Sequence, residues 1–447
     1  MTPKAHFDFL DSDSMEFLAG FTAAAIEASR VYPGQRPQKK NPVGKEPGSQ
    51  QPSIPGNCMD YTLIRPGGRK CYPAVWTQDF SMTLGTGFVT PEEAHHHLRL
   101  IAKAQNGPEE RRLASSAVVP PFAIPDHVLF NGEAIFFPGT YSSGEDQGGE
   151  RWGLRPPVNN HYDFILIARH ILHETQDGAF LLEVVNGIPL IERLRRAFEV
   201  PAIDRAMGLV STEAAARAVG FIFCDSIYMT GHLLFASLLR WRAARQMAEL
   251  ERFLGEENRV AALESDADRI PPRLPSTFGD SDRIGGWLMA ATEVGRQPDV
   301  WGTIYALYLG VLRGGAAQAA RKSIVQALEE GTICYEGALR HVPTNYDASP
   351  TSAWERTHTP LNRYQNGAFW HTPTGWLIAI LAETHPDLAA KVFNDMIAHF
   401  RREDFRQGPQ FNAPWECIGP EVEAYSNPVF LASATLPYEV LRKLNNE

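Results

Sequence analysis

The segment Tyr364-Gln365-Asn366-Gly367-Ala368-Phe369-Trp370 runs straight into an apolar helical stretch. Aromatic rings, two amide side chains and a glycine stand together just before a helix start. Aromatic faces stack on sugar rings, amides bond hydroxyls, and glycine lets a backbone pass close to a ligand. Three further segments share this character: Trp76-Thr77-Gln78-Asp79, Cys224-Asp225-Ser226 and Pro414-Trp415-Glu416. They lie far apart in the chain, each beside an expected helix. Such a set predicts a carbohydrate pocket assembled from the loops of a helical barrel.

Asp225 follows Gly220-Phe221-Ile222-Phe223-Cys224 and precedes Ser226 and a stretch with Tyr228, Leu233, Leu234 and Phe235. Asp or Ser at such a place can cap a helix by accepting backbone N–H bonds. The apolar neighbours also suit a general acid, because burial disfavours the charged carboxylate and raises its pKa. Glu416 sits among Asn412, Pro414, Trp415, Cys417, Gly419 and Pro420. Such a glutamate either pairs an arginine or supplies the second carboxyl group of a glycosidase. One carboxyl group protonates the leaving oxygen, and the other activates water or attacks the sugar. Glu421 and Glu423 are close enough in sequence to hold the second role instead.

Asp79 can accept bonds from two sugar hydroxyls above a floor made by Trp76. Capping the next helix is its structural alternative. Nothing beside Asp79 in sequence desolvates it, which favours holding substrate over giving a proton. In Gly295-Arg296-Gln297-Pro298-Asp299-Val300-Trp301, the proline and aspartate fit a helix start. Arg296, Gln297, Asp299 and Trp301 then gather polar and stacking groups at that helix mouth, as a pocket would.

Other motifs carry less. His95-His96-His97 cannot present three imidazoles on one helical face, so it reads as a solvated helical turn and not a metal site. Arg240, Arg242 and Arg245 alternate with apolar residues, the pattern of a salt-bridged amphipathic helix. The glycines between 139 and 149 lack the lysine and spacing of a phosphate loop or dinucleotide fingerprint. No GxSxG elbow occurs. The chemistry expected from these residues requires no metal or organic cofactor.

The 447 residues are 44% hydrophobic and 21% charged, with a formal charge of −10. That composition is globular, and its sign disfavours nucleic acid and anionic membranes. No run of eighteen apolar residues suggests a membrane span, and the first residues lack a secretion-signal pattern. The cysteines Cys58, Cys71, Cys224, Cys334 and Cys417 are scattered without CxxC spacing, as expected of reduced thiols in the cytoplasm. A carbohydrate is the expected partner, and self-association into a homo-oligomer stays open.

Apolar periodicity predicts helices near 14–32, 79–87, 91–106, 161–174, 181–198, 227–245, 246–264, 299–313, 316–331, 371–384, 387–402 and 427–444. Pro- and Gly-rich stretches at 33–57 and 108–158 read as loop excursions, the second with short strands near 117–122 and 128–137. About twelve helices joined by alternately short and long loops predict one all-α domain over 1–447. The expected shape is an (α/α)6 toroid with its site in the loop-bearing mouth. No sequence period of 30–45 residues supports a solenoid.

In these residues the chain resembles the six-hairpin (α/α)6-barrel glycosidases. It is most similar to the inverting groups that include invertases, trehalases, processing α-glucosidases and glucosylglycerate hydrolases. Their Trp-x-x-Asp segment, mid-chain aspartate, late aromatic-x-Asn-Gly-x-x-Trp segment and Trp/Glu loop correspond to Trp76–Asp79, Asp225, Tyr364–Trp370 and Trp415–Glu416. The resemblance spans about residues 60–440. It implies Asp225 as general acid, Glu416 as general base, and Trp76, Asp79, Gln365, Asn366 and Trp370 as the sugar-binding shell. Inversion implies carboxyl groups about 6.5–9.5 Å apart.

The same barrel hosts uronate-acting hydrolases, epimerases and polysaccharide lyases. Those would draw on His161, His232, His358, His371 or Tyr364 for proton transfer, and on Arg65, Arg69, Lys70, Arg296 or Arg363 for a carboxylate. A non-catalytic helical binding protein would lack convergent carboxylates.

Overall fold

The structure is a computed structural model that describes residues 7–36, 56–68, 72–143 and 146–446. Among these residues run fourteen α-helices. They are α1 (Ser12–Ser29), α2 (Thr77–Ser81), α3 (Pro91–Ala104), α4 (Asn159–Thr175), α5 (Leu190–Glu199), α6 (Leu234–Phe253) and α7 (Glu257–Asp268). The second half has α8 (Leu274–Phe278), α9 (Ser281–Ile284), α10 (Val300–Tyr308), α11 (Gly314–Glu329), α12 (Thr374–Leu381), α13 (Pro386–Arg402) and α14 (Ala432–Asn446).

Packing links six of them in a closed cycle. α2 packs on α4, α4 on α6, α6 on α10, α10 on α12 and α12 on α14. α14 closes the cycle on the 3-10 turn Leu84–Thr86 that follows α2. Further helices pack against the members of this ring: α3 and α5 on α4, α7 on α6, α11 on α10, α13 on α12 and α1 on α14. Burial separates the two sets. Eight of nine residues of α10 and seven of eight of α12 are buried. Only two of twelve in α7 and three of sixteen in α11 are. A helix apolar all round belongs inside, and one with a single apolar stripe belongs outside. The chain is thus a predominantly helical toroid.

Short strands dress the mouth. Ala74–Trp76 pairs antiparallel with His127–Leu129, setting Trp76 opposite His127, and Ala134–Ile135 adds a third strand. Cys334–Tyr335, Ala338–Arg340 and Phe369–Trp370 form a second sheet. Phe369 and Ile418 exchange backbone bonds of 2.8 Å beside it. Trp415–Cys417 pairs with Ser426–Pro428. The expected strands of the 108–158 excursion are present as Val118–Val119, His127–Leu129 and Ala134–Ile135. Within the 33–57 excursion, residues 37–55 lie outside the described residues.

Local chemistry sets the helix ends. Thr90 and Glu93 make a capping box on α3 with Pro91 in the first turn. Asp299 caps α10 through the Gly302 N–H at 2.9 Å. The helix expected over 181–198 begins only at Leu190. Its first half is a hairpin, Val184–Val185 with Ile188–Pro189, turning at Asn186-Gly187, a pair that favours a tight hairpin turn over a helix. The histidine turn is also corrected. His97 is fully buried, stacked on Phe80 at 4.0 Å, and its Nε2 accepts the Ile64 N–H at 2.9 Å.

Candidate active site

Each of the six ring helices starts just after a polar or aromatic segment: Trp76, Asn159, Asp225–His232, Asp299, Tyr364–His371 and Glu416–Asn427. The ring therefore delivers these segments to one end. A buried network ties four of its helices together beneath them. Asn159 donates to Gln78 at 2.7 Å and to Asp163 at 3.1 Å. Arg242 donates to Asp163 at 2.9 Å and to Tyr305 at 3.0 Å. Arg242 neutralises Asp163, which is what a buried charge requires.

Three other carboxyl groups have no such partner. Asp79, Asp225 and Glu416 are 4%, 5% and 2% exposed. None makes an ion pair among the described residues. Burial, then the charge of Asp126, pushes both Asp79 and Asp225 up to about 8. Burial also raises Glu416 to about 8, and the charges of Asp79 and Asp225 push it the same way. These mutual effects place the three groups in one locality, although they come from positions 79, 225 and 416. Desolvating several carboxyl groups together costs free energy, and such concentrations mark functional sites. Asp79 was expected to escape desolvation. The strand Ala74–Trp76 and helix α2 instead carry it inward, where it caps nothing.

The three groups differ in their hydrogen bonds. Asp225 ends the 3-10 turn Ile222–Cys224, and its Oδ1 is buried without a partner. It does not cap α6, which begins at Leu234. Glu416 Oε2 accepts from Tyr72 Oη at 3.3 Å, from Ser426 Oγ at 3.4 Å and from Asn427 Nδ2. The donors to Glu416 favour its ionised form, and the unpartnered Oδ1 of Asp225 favours the protonated one, with Gln365 and the Ser226 N–H acting the other way on Asp225. The alternatives to Glu416 face elsewhere. Glu421 and Glu423 have side chains 64% exposed and lie 3.8 and 3.6 Å from Arg363.

Aromatic rings line the same region. Trp76 stacks one face on His127 at 4.3 Å and meets Tyr72 at 5.0 Å. His127 Nδ1 faces Asp126 Oδ2 at 2.8 Å, and its Nε2 is buried without a partner. Tyr364 adopts φ 46°, a left-handed conformation unusual for an aromatic residue. Tyr72, Asp126, His127 and Asn427 went unremarked in the sequence. The Pro125-Asp126-His127 step ahead of an apolar strand is the signal that marks two of them.

Several expected sugar contacts stand behind the site instead. Gln365 Oε1 accepts from both Ser226 N–H and Ser226 Oγ at 2.8 Å, and its Nε2 donates to Ile222 O at 2.9 Å. It clamps the backbone on both sides of Asp225. Asn366 accepts from Ala353 N–H at 2.9 Å and donates to Thr359 O at 2.7 Å. The close approach at Gly367 is to Arg340, whose Nε donates to Gly367 O at 3.0 Å. Trp301 and Trp370 are fully buried and meet edge to face at 5.9 Å. Trp301 also stacks on His341 at 4.0 Å. Gln78 is fully buried. Strand alternation turns Trp415 away from Glu416, and it packs edge-on to Tyr425 at 5.3 Å.

Asp299 is committed to its cap. Gln297 is half-buried, and Arg296 is exposed with its guanidinium 4.0 Å from Asp280. Arg363 faces Glu421 and Glu423, Arg65 is buried, and Arg69 and Lys70 lie outside the described residues. His161 is held by Ile124 N–H at 3.2 Å and faces Val158 O at 3.2 Å. His232 pairs with Asp204, His371 packs beside His399, and His358 meets Trp152.

Two cavities of about 370 and 400 Å³ lie elsewhere, beside Cys334 and Lys391 and beside Arg155 and Thr212. The carboxylate cluster outweighs them as a site. An empty groove costs little, whereas unpaired buried acids need a reason.

Replacing Gln365 with Ala is expected to leave the Ser226 N–H and the Ser226 hydroxyl without partners, and Ile222 O with only the Asp225 N–H. At about 1–3 kcal/mol for each buried unpaired group, stability falls by several kcal/mol. Denaturant unfolding checks this, and an unchanged midpoint would mean the clamp is slack.

No protein-family profile and no curated protein matches the chain. Solved structures do. The GH63 mannosylglycerate hydrolase of Thermus thermophilus, in complex with glucose, aligns with a TM-score of 0.56 at 15% identity, over 94% of this chain and 99% of that one. A rhamnosidase from Klebsiella oxytoca with rhamnose bound aligns with a TM-score of 0.53 at 13% identity, over 97% and 64%. A further wild-type glycosidase gives 0.52 at 13% identity, over 98% and 99%. The likeness is one of fold: this chain folds as these glycosidases do.

Proposed function

We propose that the protein is a glycoside hydrolase that cleaves an O-glycosidic bond of a small glycoside or oligosaccharide with inversion. The observation that carries this reading is the gathering of Asp225, Glu416 and Asp79, buried and without a cation, from three distant segments. Asp225, with its Oδ1 unpartnered, is the general acid that protonates the departing oxygen. Glu416, held by three donors, is the general base that takes a proton from water on the opposite face. An oxocarbenium-like state lies between them. Asp79 holds sugar hydroxyls, and Trp76, with the rings of His127 at 4.3 Å and Tyr141 at 6.1 Å, supplies the aromatic wall.

The same reading takes the closed ring and the helices packed on it as a six-plus-six (α/α)6 barrel in a single domain. It takes the four free cysteines among the described residues as cytoplasmic thiols. No described helix is long and apolar enough to cross a membrane. The lyase and epimerase readings lose three of their proton-transfer candidates, since His161, His232 and His371 are held by other partners, and keep Tyr364, which feels the charges of Asp225 and Glu416.

A screen of aryl glycosides and unmodified disaccharides, with the first-formed anomer followed by NMR, tests the proposal. Release of the inverted anomer is expected. An unsaturated product or an unshortened, epimerised sugar would replace it with a lyase or epimerase.

A further inference from the structure

We propose that Arg217 and Arg356 form a subsite for an anionic leaving group, so that the preferred glycoside carries a carboxylate or a phosphate on its aglycone. The inference rests on the hydrolase reading above, with Asp225 as the acid. The acid touches the leaving oxygen, and the chain beside it lies on the aglycone side. That chain is the segment Ser226-Ile227-Tyr228, and a second segment pairs with it. Thr357 Oγ1 donates to Ser226 O at 2.9 Å, Ile227 bridges Thr357, and Tyr228 N–H donates to Arg356 O at 2.9 Å.

Three guanidiniums gather there. Arg217 lies over the Tyr228 ring at 4.4 Å and Arg356 at 3.9 Å. Arg151 lies over Trp152 at 5.1 Å, and Trp152 meets His358 edge-on at 4.8 Å. Among the described residues one carboxylate answers them. It is Glu150, 83% exposed, which pairs with Arg356 at 2.7 Å. Glu355 is turned to the Gly295 N–H at 3.0 Å. Arg217 is the telling member. It is 3% exposed, yet it makes no ion pair among the described residues. Of its five N–H groups, one is donated to Glu150 O at 2.6 Å. A buried charge is normally paired, because desolvation otherwise costs free energy. The cluster also runs against a chain whose formal charge is −10. The guanidinium fork matches carboxylate and phosphate oxygens bidentately. An oxyanion is therefore the group that completes this site.

The cluster continues the aromatic wall of the candidate active site. Trp152 lies so close on Gly139 that a Cβ there would fall 2.3 Å from the ring. Tyr141, two residues further on, faces Trp76 at 6.1 Å. The excursion over 108–158 thus carries one side of the pocket from Trp76 to His358. Partial burial, then the charges of Arg151 and Arg217, hold the His358 imidazole down at about 4. Nearby cations act on it in this way when no anion offsets them.

The test compares three glycosides of the sugar that the screen identifies: those of glycolic acid, of its neutral amide and of ethylene glycol monophosphate. They separate a carboxylate from a phosphate as the source of charge. The wild type should cleave one of the two anionic glycosides with kcat/KM at least about tenfold above the amide, the size of a charge-assisted bond. In Arg356→Gln and Arg217→Gln that ratio should fall to about twofold or less. A ratio taken within one variant cancels any general loss of activity, and the exposed Arg356 carries the test should Arg217→Gln fail to fold. An amide cleaved as well as both anions, or a preference that survives in the variants, overturns the subsite. A second readout needs no turnover. Glycolate and inorganic phosphate are each titrated into the wild type, and the His358 imidazole is followed by NMR, with His358→Gln to identify its signal. One of them should raise the pH at which His358 titrates, and chloride at the same ionic strength should not. Asp225→Asn and Glu416→Gln are measured alongside. If either keeps wild-type turnover, the hydrolase reading falls, and His358 then decides the subsite: a midpoint unmoved by both anions overturns it. If both variants are inactive and the three glycosides are cleaved alike, only the subsite falls.

Discussion

Asp225→Asn is expected to cost at least about 10³-fold in kcat on a substrate with a poor leaving group, while making the folded protein more stable at neutral and alkaline pH. The two effects share one cause. The residue follows the buried run Phe221-Ile222-Phe223, and burial followed by Asp126 lifts its carboxyl group to about 8. At neutral pH it therefore keeps the proton a departing alkoxide needs. An amide fills the same space and has no proton to give. The loss should shrink on aryl glycosides whose phenolate departs without help, and that dependence marks an acid and not a binding group.

The stability sign follows from linkage. The folded pKa lies above the unfolded value of about 3.9. The group's contribution is thus fully present below pH 4 and is lost as pH rises toward about 8. At pH 7 the difference amounts to something on the order of 3–4 kcal/mol. Asparagine does not titrate, so the gap in Tm between variant and wild type should widen from pH 5 to pH 8. A gap that stays constant with pH would show that Asp225 is ionised in the folded protein, and the acid would then have to be sought elsewhere. Catalytic groups held at the expense of stability behave in this way.

The ring was legible because long apolar periods at helical spacing are the strongest signal a sequence carries. Its inner helices, such as α10 and α12, are apolar almost all round, and the outer ones are striped. Boundaries were less legible where strand pairing intervened. The helix expected from 227 starts at Leu234 because Gly231–His232 pairs with Ser211–Thr212, a partner about twenty residues back. The acids stood out because each interrupts an apolar or breaker-rich run.

What composition does not separate is the wall of a pocket from the packing behind it. Gln365, Asn366, Trp301 and Trp370 have the residue types of a sugar site. Their amides brace loops and their rings fill the core, a difference decided by rotamers and neighbours from other segments. Asp126, His127 and Tyr72 escaped notice for the opposite reason. Beyond the Pro125-Asp126-His127 step their neighbours in sequence are unremarkable, and they acquire meaning only when Ala74–Trp76 pairs with His127–Leu129 and Tyr72 reaches Glu416.

Glu416→Gln should be as damaging as the loss of the acid, again by at least about 10³-fold, with a different pattern. A base acts on water and not on the leaving group, so good and poor leaving groups should suffer alike. The pH profile supplies a second signature. Asp225 and Glu416 are both lifted to about 8, and they interact, so they titrate as a pair. Catalysis needs one proton on that pair, and kcat/KM of the wild type should peak near pH 8 and fall on either side. The acid limb reports the first ionisation of the pair, which the base role assigns to Glu416. Glutamine removes that limb along with the neighbouring charge, leaving residual activity that declines only on the alkaline side as Asp225 loses its proton. Asp79→Asn is the control, because Asp79 is equally buried and equally raised but lacks those donors. It should weaken KM and keep both limbs. If Asp79→Asn instead abolishes the acid limb while Glu416→Gln retains it, Asp79 is the base and Glu416 holds the sugar.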